Sequence, residues 1–174
     1  MGVLLTGSKY EELQVLTEKY GLETLAFYEK VKAIGPNIVE AYIDYLGGPK
    51  TAANAVPPDG DFDPSMLHRD AAFDCYGRGT IFLEPIRMGV CTEIRNQSDR
   101  GATWVRTVLS FFPDGGRIRL FIGSKEHQIH VGEIVDDVMA EICEAIFTDA
   151  REAFSIELDE AQGRSRIGFT SQTG

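Results

Sequence analysis

The sequence predicts an α+β fold, because its hydrophobic periodicity changes twice along the chain. Apolar residues recur every three to four positions over residues 8–46, alternate with period 2 over residues 80–131, and recur with helical spacing again over residues 132–154. We therefore expect N-terminal helices, an antiparallel meander sheet of four to five strands, and a long C-terminal helix packed on the apolar face of that sheet. The 174 residues fit a single domain over residues 1–160 and a flexible polar tail at 161–174.

Helix start and stop signals define the N-terminal region. Ser8, with Glu11 three residues later, forms a capping box that marks the start of a helix. The pair Gly35 and Pro36 predicts the end of that helix, and a second, shorter helix follows before a Gly-Gly-Pro stop. Residues 49–66 are rich in proline and read as a linker.

The sheet region contains two long alternating segments, residues 86–95 and 103–112, and a hairpin signal follows the second. The sequence Pro-Asp-Gly-Gly at 113–116 is typical of a turn, and alternation resumes after it. A register with Phe111 opposite Ile118 places the apolar residues of these strands on one face. Shorter strands are predicted at 80–83 and 128–131.

The opposite side of the predicted sheet, which we call the second face, combines arginine with aromatic residues. Its main members are Arg87, Arg95, Trp104, Arg106, Phe112, Arg117, Arg119 and Phe121. Interface cores are enriched in these residue types, so the second face is predicted to dock an acidic or aromatic partner, including a second copy of the chain. The alternative is that the N-terminal helices or residues 49–80 cover this face and that its arginines pair internally.

The acidic residues are concentrated near the C-terminus. Residues 126–160 contain eleven carboxylates and one cation, Arg151, so this window alone carries as much charge as the whole chain, −10. Such an excess disfavours nucleic acid as a partner, including a single strand stacked on Trp104 and Phe112, because phosphates repel an acidic protein. An acidic C-terminal helix beside an arginine-rich sheet instead favours a protein partner or a homo-oligomer.

Composition also bears on the location of the protein. No apolar run approaches the ~20 residues of a membrane span. Cys75, Cys91 and Cys143 are odd in number and widely spaced, which predicts reduced thiols and a cytoplasmic protein.

Two patterns contain metal-ligand residue types, and neither predicts a metal site. His127 and His130 are three residues apart, but the alternation around them predicts a strand, which sends their rings to opposite faces. Residues 59–70 have the acidic spacing of a calcium-binding loop, but Pro64 stands where such a loop needs glycine. We expect both segments to be structural.

No residue pattern identifies a catalytic group or a cofactor, so we expect a non-catalytic protein-binding or accessory module. The alternative is a small-molecule-binding protein or an enzyme with a pocket between the helices and the sheet. The polar groups of that pocket would be His68, Arg69, Arg106, His127 and His130.

Overall fold

The computed structural model describes residues 7–95, 101–123, 127–131, 136–155 and 167–171, and for residues 127–129 and 171 it describes the backbone alone. A long N-terminal helix, an antiparallel sheet and a C-terminal helix confirm the α+β prediction. The elements in chain order are α1 (Lys9–Leu46), β1 (Ala53–Val56), a 3-10 turn (Arg69–Ala72), β2 (Ile86–Arg95), β3 (Gly101–Asp114), β4 (Arg117–Ile122), β5 (His127–Val131), α2 (Asp136–Phe154) and β6 (Ile167–Ser171).

The N-terminal region is one helix of 38 residues rather than two helices. Its start is as predicted, since the Ser8 and Glu11 side chains each bond the other's backbone N–H, and it ends at Gly47 with φ 67°. The predicted break at Gly35 and Pro36 was wrong, because α1 continues through both residues. The reason is tertiary packing: the buried positions keep an unbroken helical spacing across the break, and their burial outweighs the local cost of proline. These positions are Thr24, Phe27, Tyr28, Val31, Gly35, Ile38, Val39 and Tyr42.

The described strands form one antiparallel sheet in the order β1-β2-β3-β4-β5, and β6 pairs with the beginning of β3. The described sheet has six strands, so the prediction of four to five was too low, and two of the six arise where no strand was predicted. β1 lies within the linker-like residues 49–66, and β6 lies within the polar tail at 161–174. In contrast, residues 80–83 form no strand, whereas the short strand predicted at 128–131 is present as β5.

The hairpin between β3 and β4 is tighter than the sequence predicted. Phe111 pairs with Leu120 instead of Ile118, and the ladder continues to the pair Asp114 and Arg117. Only Gly115 and Gly116 remain in the loop, with φ of 53° and 83°, as the favoured two-residue hairpin turn requires. The shift is two residues, so every side chain stays on its predicted face of the sheet.

The core lies between the apolar face of the sheet and the two helices. One cluster of buried side chains includes Phe27 and Ile38 of α1, Leu109 of β3, and Ile142 and Ile146 of α2. Two polar contacts are buried with them. The Tyr42 hydroxyl lies 3.1 Å from the Thr92 hydroxyl, and the Thr107 hydroxyl donates a 2.6 Å hydrogen bond to the Asp149 carboxylate.

Burial raises the pKa of Tyr42 to about 12, more than the Thr92 hydrogen bond lowers it. The phenol is therefore neutral at physiological pH and satisfied by its neighbour. Within the described part of the chain, no helix has the length and apolar character that crossing a membrane requires.

Gly35 lies where α1 packs closely against side chains of the core. A β-carbon at this position would lie 2.7 Å from Phe73 Cζ and 3.1 Å from Met88 Sδ, whereas a β-carbon at Gly21 would meet nothing within 4 Å. Glycine at 35 therefore permits the helix to pack closely, and glycine at 21 has no such role.

We predict that the same substitution at these two glycines has opposite effects on stability. Gly35→Ala should lower the free energy of unfolding by about 1–3 kcal/mol, because overpacking outweighs the gain in helix propensity. Gly21→Ala is the matched control on the same helix and should raise it by about 0.5–1 kcal/mol. Urea unfolding of both variants measures the two shifts, and a stabilised Gly35→Ala protein would contradict this packing.

Candidate functional site

The second face of the sheet is divided into two regions. Residues 57–68, which follow β1, fold over the region around Trp104 and Arg106, which we call the closed half. Phe112, Arg119 and Phe121 lie on β3 and β4, remain partly exposed, and form what we call the open half.

Arg106 attaches the covering segment to the closed half. Its Nη1 donates hydrogen bonds of 3.0 Å to the Pro57 carbonyl and 2.9 Å to the Gly60 carbonyl, and its guanidinium lies 4.8 Å from the centre of the Phe62 ring. The residue is only 4% exposed. Burial lowers the pKa of Arg106 while the charge of Asp59 raises it, and an arginine remains protonated throughout. Arg106 is therefore buried in the protein itself rather than presented to a partner.

Trp104 is enclosed from two sides. The Phe62 ring meets the indole edge-on, with centroids 4.6 Å apart. Gly168 of β6 pairs with Trp104 across the sheet, and a β-carbon on Gly168 would overlap the indole ring. Any other residue at 168 would displace the ring, so β6 and residues 57–68 together close this half of the face.

Arg87 belongs to the same closed arrangement. Its Nε donates a 3.1 Å hydrogen bond to Asp74, and its guanidinium also pairs with Asp59. The hydrogen bond to Asp59 raises the pKa of Arg87 more than burial lowers it. Arg87, Trp104 and Arg106 thus fit the alternative given by the sequence. In that alternative, residues 49–80 cover the second face and its arginines pair within the chain.

The thiol beneath the closed half is shielded. Cys91 lies across from Arg106 on β2 and is buried. Burial, assisted by the charge of Glu93, raises the pKa of Cys91 to about 12. A thiol with so high a pKa is a poor nucleophile.

The open half is a stack of one arginine and two aromatic rings. The Arg119 guanidinium lies 5.4 Å from the centre of the Phe112 ring and 5.5 Å from that of Phe121, and the two rings meet at 4.9 Å with an interplanar angle of 65°. Arg119 Nε is buried and has no hydrogen-bond partner among the described residues. The stack holds the guanidinium in place and leaves one of its donors unused.

Polar and charged side chains lie near this stack at the hairpin end of the sheet. His130 pairs with Arg119 across β4 and β5, and its Nε2 lies 3.5 Å from Asp114 Oδ2. Arg117 is exposed beside the hairpin loop. Arg95 belongs to neither half, because it is exposed near the end of β2, where its Nε lies 3.6 Å from Glu93.

The polar groups predicted for a pocket do not come together. His68 contacts the Asp63 carbonyl at 3.0 Å on the segment that covers the closed half, and Arg69 is exposed with φ 53°. His130 lies on β5, beyond the open half, and the His127 side chain lies outside the described residues. A cavity of about 420 Å³ does lie between α1 and the hairpin, but neither His68, Arg69, Arg106 nor His130 lines it.

Acidic residues within 59–70 form hydrogen bonds and ion pairs that stabilise the segment covering the closed half. The Asp63 carboxylate accepts hydrogen bonds of 2.9 Å and 2.6 Å from the Ser65 N–H and hydroxyl, and these lower the pKa of Asp63. Asp59 pairs with Arg87. Among the described residues, no three metal-ligating side chains form a group that could hold an ion.

Comparison with protein-family models, with curated proteins and with solved structures finds no significant match to this chain. The sequence left open whether residues 49–80 cover the second face, and Phe62, a lone aromatic between acidic and proline residues, is the signal that could have located the covering part.

We predict that Arg106→Ala opens the closed half. The substitution removes hydrogen bonds from a charged, buried donor, so the free energy of unfolding should fall by about 2–4 kcal/mol. Trp104 is the one tryptophan in the chain, and its emission should shift to the red as residues 57–68 detach. Arg95→Ala is the control, since an exposed surface pair contributes little. Unchanged stability and emission in Arg106→Ala would contradict the anchoring role.

Proposed function

We propose that this protein is a non-catalytic protein-binding module whose open half docks an acidic segment of a partner protein. The observation that carries the proposal is Arg119, whose guanidinium lies against the rings of Phe112 and Phe121 while the residue stays partly exposed. A guanidinium that is already oriented loses little entropy when it binds a carboxylate.

The chemistry of the stack specifies the partner. The two Nη groups at the end of a guanidinium match the two oxygens of a carboxylate, which makes Asp or Glu the fitting group. Phe112 and Phe121 supply apolar area beside it, so an aromatic or aliphatic residue next to the carboxylate would add to binding. Because the chain has a net charge of −10, long-range attraction to an acidic partner is weak, and recognition depends on this local contact.

The state of the other polar groups supports binding over catalysis. Arg87 and Arg106 are used to hold residues 57–74, and burial raises the pKa of the Cys143 thiol as well as that of Cys91. These two arginines and two thiols therefore have structural roles. The three cysteines are free, two of them buried, which supports our inference that the protein works in a reducing, cytoplasmic environment.

We predict that ligands selected from a peptide display library will be acidic and will depend on Arg119. Arg119→Ala should weaken their binding at least tenfold, and Arg119→Lys should not restore it, because lysine lacks the paired donors. Arg95→Ala, an arginine outside the open half, should leave the affinity within threefold of the wild type. Calorimetry measures each constant. Selected peptides without acidic residues, or peptides that bind Arg119→Ala as well as wild type, would refute the proposal.

The cavity supports a second candidate function, the binding of a small molecule. Its volume of about 420 Å³ falls in the range of ligand pockets, and it lies between α1 and the β3–β4 hairpin. Glu23 and Asp114 supply negative charge, while Lys30 and Arg117 supply positive charge. Lys30 Nζ also donates a 3.1 Å hydrogen bond to the Gly116 carbonyl and so fixes the hairpin against the helix. A zwitterionic molecule the size of an amino acid fits these walls.

We predict that, if the cavity is functional, zwitterionic compounds of this size will raise the melting temperature of the protein, and Ala26→Trp will abolish the rise by filling the space. Ala26 is an exposed lining residue, so the variant should remain folded. Arg119→Ala should leave the rise intact, which separates this function from peptide docking. A rise that persists in Ala26→Trp would place the compound elsewhere.

A further inference from the structure

The first four turns of α1 carry an apolar stripe that lies outside the core. No residue of α1 before Thr24 is buried in the described structure. Tyr10, Leu13, Leu16 and Tyr20 are nevertheless spaced so that they continue the stripe which, from Thr24 onward, faces the core. The apolar residues thus keep helical spacing over the fifteen residues 9–23, which form about 22 Å of helix. Nothing in the described structure covers this stripe.

The amounts exposed are large for a surface stripe. Tyr10 is 70% exposed, Leu13 58% and Leu16 59%, and Tyr20 is 47% exposed although its hydroxyl accepts a hydrogen bond from the Leu83 N–H. Contiguous apolar surface of this kind normally marks a contact with another molecule.

We propose that a second copy of this chain covers the stripe, and that residues 9–23 of the two copies pair as antiparallel helices about a two-fold axis near Leu16. The pairing places Leu16 against its own counterpart and Leu13 near Tyr20 of the second copy. Such a contact is isologous, as closed dimers require, and it rests on α1 rather than on the second face.

The charges beside the stripe specify both the partner and the direction. Lys9, Glu12, Lys19 and Glu23 all project on one side of it, whereas Thr17 and Gly21 lie on the other. When two identical helices pair antiparallel, like sides meet. Glu12 then lies beside Lys19 of the second copy, and Lys9 lies beside Glu23 of the second copy, so every pair is of opposite charge. A parallel pair would set the charged side against the uncharged one.

The part of each copy from Thr24 onward, which we call its body, also fits this arrangement. With the axis near Leu16, Thr24 of the second copy falls opposite Ser8, the residue that caps α1. Each body therefore begins where the helix of the other copy starts, and the bodies lie at opposite ends of the pair. The contact spans about two heptads, which is small for a specific interface, and we expect dissociation constants of about 1–100 μM.

Sedimentation of the full chain from 1 to 500 μM tests the dimer. Leu13→Gln with Leu16→Gln should raise the dissociation constant at least 30-fold, since glutamine retains helix propensity and removes the apolar contact. Val15→Gln with Leu22→Gln is the matched control, because these residues are 57% and 64% exposed on the opposite side of the same helix, and it should change the constant less than threefold. A wild-type protein that stays monomeric at 500 μM, or equal effects of the two double variants, would overturn the proposal.

Charge reversal tests the direction. Glu12→Lys and Lys19→Glu should each weaken self-association at least fivefold, because each sets like charges side by side at both ends of the pair. An equimolar mixture of the two variants should form a heterodimer about as stable as the wild-type dimer, since both pairs are then restored between copies. Positions 12 and 19 lie two turns apart on one helix, so a contact within one chain does not produce this rescue. A mixture that associates no better than the separate variants would overturn the antiparallel pairing.

Discussion

The alternation of side chains along β3 is the constraint on which both the fold and the candidate site depend. β3 pairs with β2 along one edge, and β4 and β6 share the other edge. Thr107 and Leu109 point into the core, while Trp104 and Arg106 point to the second face. One backbone therefore fixes the hydrophobic interior and the arginine-aromatic surface at the same time, and a slip of one residue would exchange them.

This constraint explains why much of the fold was predictable from the sequence. The period of 2 assigns each residue to a face of the sheet even when the pairing of the strands is unknown. The faces of the hairpin residues were therefore predicted correctly, although Phe111 pairs with Leu120 and not with Ile118. The capping box at Ser8 and the apolar stripe of α2 are similarly local signals. Each depends on a few neighbouring residues, which the sequence shows directly.

The features that could not be predicted depend on contacts between distant residues. Pro36 would end an isolated helix, but α1 is held by packing on both sides of it. Phe62 and Gly168 close the region around Trp104 from two segments that lack a strong pattern of their own. The sequence thus identified the composition of the second face but not its division, because arginine has the same local pattern whether it is buried or exposed.

The comparison of Arg106 with Arg119 shows how one residue type on one face takes two roles. Arg106 donates to backbone carbonyls and holds residues 57–62 in place, whereas Arg119 lies against two aromatic rings and stays partly exposed. The open half lies on the side of the sheet opposite the core, and α1 packs on the core side. A dimer held by residues 9–23 would therefore leave both open halves accessible. Two such sites on one assembly would bind a partner with repeated acidic segments more tightly than either site alone, because the second contact forms at high effective concentration.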